Sequence, residues 1–236
     1  MSRLLACVIL LLSTGCSGRN ATSAVAKILS IQENRSLESS PPAPAPPLEN
    51  SRYLRAGDLW RVPSGYQATV AFSPGVMATV LNGGELRIKK FRLAKDGNET
   101  ADDFTDREIE LEFLAGSAVL WVAAAGLTSS LRIVTDLGTI SAKADSLFYL
   151  EKSGQGIHLT CVRGTLLLAN SKGTLTTIPP GKWTERRADG REPGDPQAAS
   201  ANPAIQEEIA TSLERETAMQ ALVLAERKTA PSWRRP

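Results

Sequence analysis

The stretch "REIELEF", Arg107 to Phe113, decides the fold. Along an extended chain Ile109, Leu111 and Phe113 point one way, and Glu108, Glu110 and Glu112 the other, because successive strand side chains alternate between faces. That is a strand with one buried face and one wet face. Upstream, "ELRIKKFRL" (Glu85 to Leu93) makes the basic counterpart. Leu86 and Ile88 alternate with Arg87 and Lys89, and the doubled Lys89-Lys90 then resets the phase for Phe91 and Leu93. A phase slip of one residue is how a β-bulge reads in sequence. If the two strands are neighbours, their basic and acidic faces can pair. The three glutamates do not form a cation site by themselves. Same-face residues on one strand stand about 6.6 Å apart, whereas carboxylate–calcium bonds are about 2.4 Å. A solvated face is the reading.

Working outward, the chain from 51 to 187 consists of short apolar runs divided by turn residues. "QATVAF", "VMATVL", "AVLWVAA", "SLRIVT", "LFYLE", "GIHLTCV", "TLLLAN" and "TLTTIP" join the two strands above. Between them stand Asn82 to Gly84, Lys95 to Asn98, Ala115-Gly116, Ser153 to Gly156, Arg163-Gly164 and Asn170 to Gly173. This spacing predicts an all-β domain of about ten short strands, a sandwich or solenoid-like roll. No useful helical period occurs there.

The flanks differ in composition. Residues 188–203 read as a linker and 204–228 as a helix. Asn202 suits the N-cap and Pro203 the first helical position. Ile205, Ile209, Leu213, Met219, Val223 and Leu224 form one broad apolar stripe, which Glu216 interrupts. The stripe either docks on the β-domain or is offered to a partner. An unpaired carboxylate within it favours the second, while a linker of some 15 residues permits the first. On the other side, residues 16–50 read as a tether. "ATSAVAKILSIQEN" (Ala21 to Asn34) suggests a short helix. "SSPPAPAPPLEN" (Ser39 to Asn50) suggests extended polyproline II at roughly 3 Å per residue.

Residues 1–15 read as a signal peptide: Arg3, the apolar stretch Leu4 to Leu12, then the small Ser13, Thr14 and Gly15. The apolar stretch is shorter than the about 20 residues a membrane-spanning helix needs. Cys16 follows at once, and the segment resembles the bacterial lipobox, although Leu12 lies one place further back than usual; the alternative is a plain signal peptide with an incidental cysteine. Lipidation of Cys16 would anchor the chain in a membrane, at about 0.8 kcal/mol per buried methylene. In the lipoproteins this segment resembles, a serine after the cysteine, here Ser17, implies the outer membrane, facing the periplasm.

The 236 residues hold 27 Lys plus Arg against 25 Asp plus Glu. That balance, without a strong basic patch, points away from nucleic acid. Of the three cysteines, Cys7 lies in the signal and Cys16 is the lipid acceptor, so Cys161 has no disulfide partner and is expected to be a buried small hydrophobe. His158, the single histidine, lies three residues from Cys161. On one strand that separation puts them on opposite faces and excludes a Cys–His pair. No nucleophile elbow, phosphate loop or metal-ligand spacing is present, so no catalytic residue, metal or cofactor is expected.

The stretch from Tyr53 to Thr184 resembles the FecR-type domain, named for the ferric-citrate transport regulator. The matching pieces are "LRAGDLWRVPSGYQATVAF", "NGGELRI", "IELEFLAGSAVLWV", "SLRIVTDLGTISAKADSLFYLE", "IHLTCVRGTLLLAN" and "TIPPGKWTE". Gly83, Gly84, Gly116, Gly138, Gly164 and Gly181 fall at the family's turn positions. Ala144-Asp145 departs from it, standing where "rGt" is common. The cytoplasmic helical domain and transmembrane helix of the sigma-factor regulators have no counterpart here. The resemblance implies a non-enzymatic envelope β-domain that binds a protein or a surface polysaccharide. The alternatives are a sensor in sigma-factor-linked surface signalling and, further off, a glycosidase with two carboxylates distant in sequence.

Overall fold

The computed structural model describes residues 21–23, 26–33, 53–73, 75–94, 106–124, 128–170, 172–189 and 194–229. Cys16, the Pro-rich run Ser39 to Asn50 and the expected turn Lys95 to Asn98 lie outside them. Fifteen strands and one long helix are present among the described residues. First come β1 (Ala21–Ser23), β2 (Ala26–Glu33), β3 (Tyr53–Leu54), β4 (Leu59–Arg61) and β5 (Tyr66–Ser73). Two long strands follow, β6 (Val76–Ala94) and β7 (Asp106–Val122). Then come β8 (Thr128–Thr135), β9 (Gly138–Ala142), β10 (Ser146–Ser153) and β11 (Gly156–Arg163). The sheet closes with β12 (Leu166–Ala169), β13 (Leu175–Ile178), β14 (Lys182–Arg187) and β15 (Gln197–Ala198). The chain ends in helix α1 (Pro203–Thr229).

The protein is therefore all-β with a C-terminal helix, as its alternation pattern predicts. The strands form one sheet that does not close into a barrel. Strand β7 is its spine. On one side it pairs with β6 from Asp106 to Val122. On the other side its first half runs parallel to β8 and its second half antiparallel to β10. Two arms grow from this point, β8-β9-β12-β13 and β10-β11-β14-β15, while β5 and β2 extend the sheet beyond β6.

The sheet folds over on itself. Phe72, at the end of β5, packs edge-on against Phe91 in the far half of β6, with ring centroids 6.4 Å apart. Were β6 straight, the stretch from Val76, beside Phe72, to Phe91 would span about 50 Å at roughly 3.3 Å per residue. The bend sits at Asn82 to Gly84, where the register with β7 jumps from Leu81↔Ser117 to Glu85↔Ala115. Gly83 and Gly116 both have positive φ, +78° and +85°. A Cβ on Gly116 would stand 2.4 Å from the Cα of Gly84. These two sites, expected as turns between separate strands, are paired kinks within two continuous strands. Glycine permits both structures, and here it allows two backbones to touch.

The inner faces of both halves share one core, from Val70 and Phe72 through Ile109, Leu111 and Phe113 to Ile140, Leu159, Cys161 and Leu168. Ile109, Leu111 and Phe113 are buried as the alternation requires. The predicted bulge is also present. The register slips between Ile88 and Lys90, leaving Lys89 without a partner on β7. The basic and acidic faces pair, Arg87 Nη1 with Glu112 Oε2 at 2.6 Å and Lys90 Nζ with Glu108 Oε1 at 2.6 Å.

Two further expectations are corrected. Residues 21–23 and 26–33 are strands, not a helix. β2 pairs with β5, Ala26 is wholly buried, and Ile28 and Ile31 pack on the core. The sheet thus begins inside the span read as a tether, because β5 offers an edge that local helix propensity does not register. Within the expected linker, β15 pairs with β14, and Ala199 N–H donates to Gly181 O at 2.9 Å. Asp145 takes φ +59°. Aspartate tolerates this left-handed conformation better than most side chains.

Candidate functional site at the helix–sheet junction

Beyond Gly116, β7 reads Ala118-Val119-Leu120-Trp121-Val122, and every one of these residues is buried. Ala118, Leu120 and Val122 face the main core. Val119 and Trp121 face outward into a second cluster with Met77, Leu147 and Met219. Helix α1 covers this outer face, lying mainly across β10 and β11. Its cap is as predicted. Asn202 Oδ1 accepts from Ala204 N–H at 3.1 Å, and Pro203 opens the helix without needing a donor.

Only part of the predicted stripe docks: Ile205 and Met219 are buried and Val223 packs on the outer cluster. Leu213 and Leu224 remain 46% and 57% exposed. The buried residues are Ile205, Ser212, Glu216 and Met219, with Glu208 half-buried between them. Their spacing of three or four residues defines one helical face. Glu216, which interrupted the hydrophobic stripe, is an anchor. Its carboxylate takes a two-pronged contact from Arg163, Nη2 to Oε1 at 2.5 Å and Nη1 to Oε2 at 3.1 Å. Arg163 Nε is held by Asp145 Oδ1 at 2.8 Å. The argument for a free arm required an unpaired carboxylate, and this one is paired.

Two turns earlier, Glu208 meets the single histidine. Its Oε2 lies 2.9 Å from His158 Nε2 and accepts from Thr160 Oγ1 at 2.6 Å. His158 Nδ1 faces Glu185 Oε1 at 3.6 Å. The imidazole lies between Trp183 and Tyr149, at centroid distances of 5.4 and 6.2 Å. Burial pulls the His158 pKa down. The hydrogen bond to Glu208 and the charges of Glu208, Glu185 and Glu151 outweigh that and leave it raised above 6.5. Tyr149 is pushed up by burial first and by Glu151 second, so it stays a neutral phenol. Its hydroxyl donates to Glu151 Oε2 at 3.0 Å.

His158 and Cys161 lie on opposite faces, as read from their spacing. Cys161 is wholly buried in the main core, and burial raises its thiol pKa to about 11 despite a backbone hydrogen bond at Leu166. The Glu208–His158–Thr160 contact resembles a nucleophile and its base, yet Thr160 has no exposed surface. Glu208 and Glu216 are eight residues apart on one helix, about 12 Å at 1.5 Å rise per residue. That exceeds the roughly 5–9.5 Å separation of glycosidase carboxylates. Among the described residues no group of His, Cys, Asp and Glu is arranged to hold a metal, and no helix is long and apolar enough to cross a membrane.

Beside Glu208 a cleft of about 810 Å³ opens between the β10–β11 turn, β14 and the first turn of α1. Gln155, Trp183, Glu185 and Arg187 stand on its walls, with His158 and Glu208 where helix meets sheet. In the sequence Trp183 stands out only as part of "TIPPGKWTE", and His158 only by its spacing from Cys161. No signal local to either residue links them to Glu208, some 50 residues away.

No protein-family model matches the chain, and no curated protein matches it. Among solved structures it is similar to two crystal structures from Parabacteroides distasonis, both provisionally named anti-sigma factors. One is 13% identical, with a TM-score of 0.43, covering 61% of this chain and 62% of that one. The other is 14% identical, with a TM-score of 0.37, covering 62% of this chain and 59% of that one. This chain thus spans about three fifths of the length of each.

Proposed function

We propose that this chain is a lipid-anchored protein of the bacterial envelope, of FecR type, whose β-domain binds an envelope protein or surface polysaccharide and performs no covalent chemistry. One observation carries the binding reading, the cleft between the β10–β11 turn, β14 and α1. The indole of Trp183 offers it a flat apolar wall. The carboxylates of Glu151 and Glu185 at its rim accept hydrogen bonds from hydroxyl, amide or ammonium groups. The one side chain suited to acid–base chemistry near neutral pH, His158, is committed to Glu208 and Thr160. Cys16 supplies the membrane anchor, a few residues before β1 opens the sheet at Ala21.

The test is photocrosslinking in intact cells, with the reactive residue placed at Gln155 on the cleft rim or at Lys89 on the distant bulge. A discrete adduct from Gln155, lost on Trp183→Ala and absent from Lys89, supports the reading. Equal adducts from both positions, or none from Gln155, would end it. The anchor is tested separately. Cys16→Ser is expected to block fatty-acid labelling and leave the precursor uncleaved.

A further inference from the structure

We propose that the first three turns of α1, Pro203 to Ser212, are a proton-controlled wall of the cleft: charged His158 holds them against β11 through Glu208, and neutral His158 lets them lift. The observations are geometric. Glu208 is the carboxylate through which this half of the helix reaches the sheet, and it has two partners there, His158 Nε2 and Thr160 Oγ1. Around the imidazole the other facing groups are acidic or neutral. Strand β10 contributes Glu151 and Tyr149, β14 contributes Glu185 and Trp183, and the buried Arg186 and exposed Arg187 and Asp189 stand further along the cleft. A proton on the ring therefore sits among carboxylates from three elements. Losing it leaves Glu208, Glu185 and Glu151 facing one another with less compensation.

The second half of the helix does not share this sensitivity. Glu216 is held by Arg163, whose pKa is raised, first by the Glu216 hydrogen bond and against the opposing effect of burial. An arginine keeps its charge throughout the accessible range. Met219 is buried in the outer apolar cluster, with Val223 packed against it. The helix thus has a proton-sensitive end lining the cleft and a proton-indifferent end clamped to the sheet.

The sign follows from linkage. His158 has its pKa raised on folding, so its contribution is fully present below the unfolded value near 6.5. It is lost as pH rises through the higher folded value. The wall is closed below the unfolded value and loosens as pH rises through the higher folded one. The movement itself does not depend on the cleft's being a binding site. If the cleft is one, the movement couples affinity to pH and gives a sensor its moving part.

The test is amide hydrogen exchange on the full chain at about pH 6 and about pH 9, corrected for the intrinsic rate, which itself rises with pH. The expected result is a several-fold loss of protection at Glu207 to Ser212, with Glu216 to Val223 and the β6–β7 ladder unchanged. His158→Gln, neutral at both pH values but still able to donate to Glu208, should remove the difference. Glu208→Gln should do so too if the histidine variant folds poorly. Unchanged protection at Glu207 to Ser212 would overturn the proposal, as would a difference that survives in both variants. A parallel loss along the whole helix and the β6–β7 ladder would also overturn it, since that reports global opening. Crosslinking from Gln155 is a separate readout, so a working wall with no captured partner distinguishes failure of the binding reading from failure of this one.

Discussion

The two ends of β7 belong to one strand and meet opposite surroundings. Its first half, Glu108 to Phe113, buries every second residue and leaves its glutamates outside, paired with lysine and arginine. Its second half, Ala118 to Val122, buries every residue, because α1 covers the face that is wet in the first half. Between them the kink at Gly116 bends the ribbon. A strand apolar at every position needs cover on both sides, and here the cover is a helix that begins about 80 residues later in the chain. The difference teaches that the wet half is defined by its own alternation, whereas the dry half borrows its second layer.

The largest test of this comparison puts the same polar residue on the outward face at both ends. Val119→Asn buries an amide with no partner beneath the helix, and is expected to cost about 3 kcal/mol or more. Glu110→Asn, on the outward face of the wet half, should stay within about 0.5 kcal/mol. Urea unfolding monitored by tryptophan fluorescence measures both. Similar midpoints for the two variants would mean that α1 does not seal the second half.

What could be read from sequence follows the same division. The wet half was legible in detail: alternation gave its faces, and the doubled lysine gave the bulge at Lys89. These signals lie within a few residues of one another. The kinks at Gly83 and Gly116 were not legible, because a positive-φ glycine inside a bent strand looks like one in a turn. The strand at 26–33 is not legible, because what makes it a strand is an edge on β5 some 40 residues away. The helix itself and its Asn202-Pro203 start were legible from capping chemistry. Its docked face was not, since hydrophobicity ranks Leu213 above Glu216. Only the positions of His158 and Arg163 on the outer face of β11 turn Glu208 and Glu216 into anchors. The apolar run from Ala118 to Val122 did carry a usable hint, that a second covering layer must exist.

The smallest expected effect concerns ion pairs, where the two halves offer the same chemistry in different surroundings. Arg87–Glu112 on the wet half has side chains 42% and 22% exposed. Its coupling in a double-mutant cycle should be about 0.5 kcal/mol and should fade in 1 M salt, where the screening length is about 3 Å. Arg163–Glu216 under the helix buries the carboxylate to 9% exposure but leaves the arginine 38% exposed. A fully buried pair broken on one side costs about 3–5 kcal/mol. The exposed side of Arg163 discounts that to about 2 kcal/mol, and the carboxylate's shelter should keep most of it in high salt. Single and double alanine variants at both pairs, unfolded in urea at low and high salt, give four coupling energies. The expected order is the helix pair above the strand pair, with the gap widening as salt is added. If both couplings fall to zero together in salt, Glu216 is reached by solvent and α1 rests on Met219 and Ile205 alone. The dry half of β7 would then owe its cover to apolar contact, and the carboxylates would only set the helix's register.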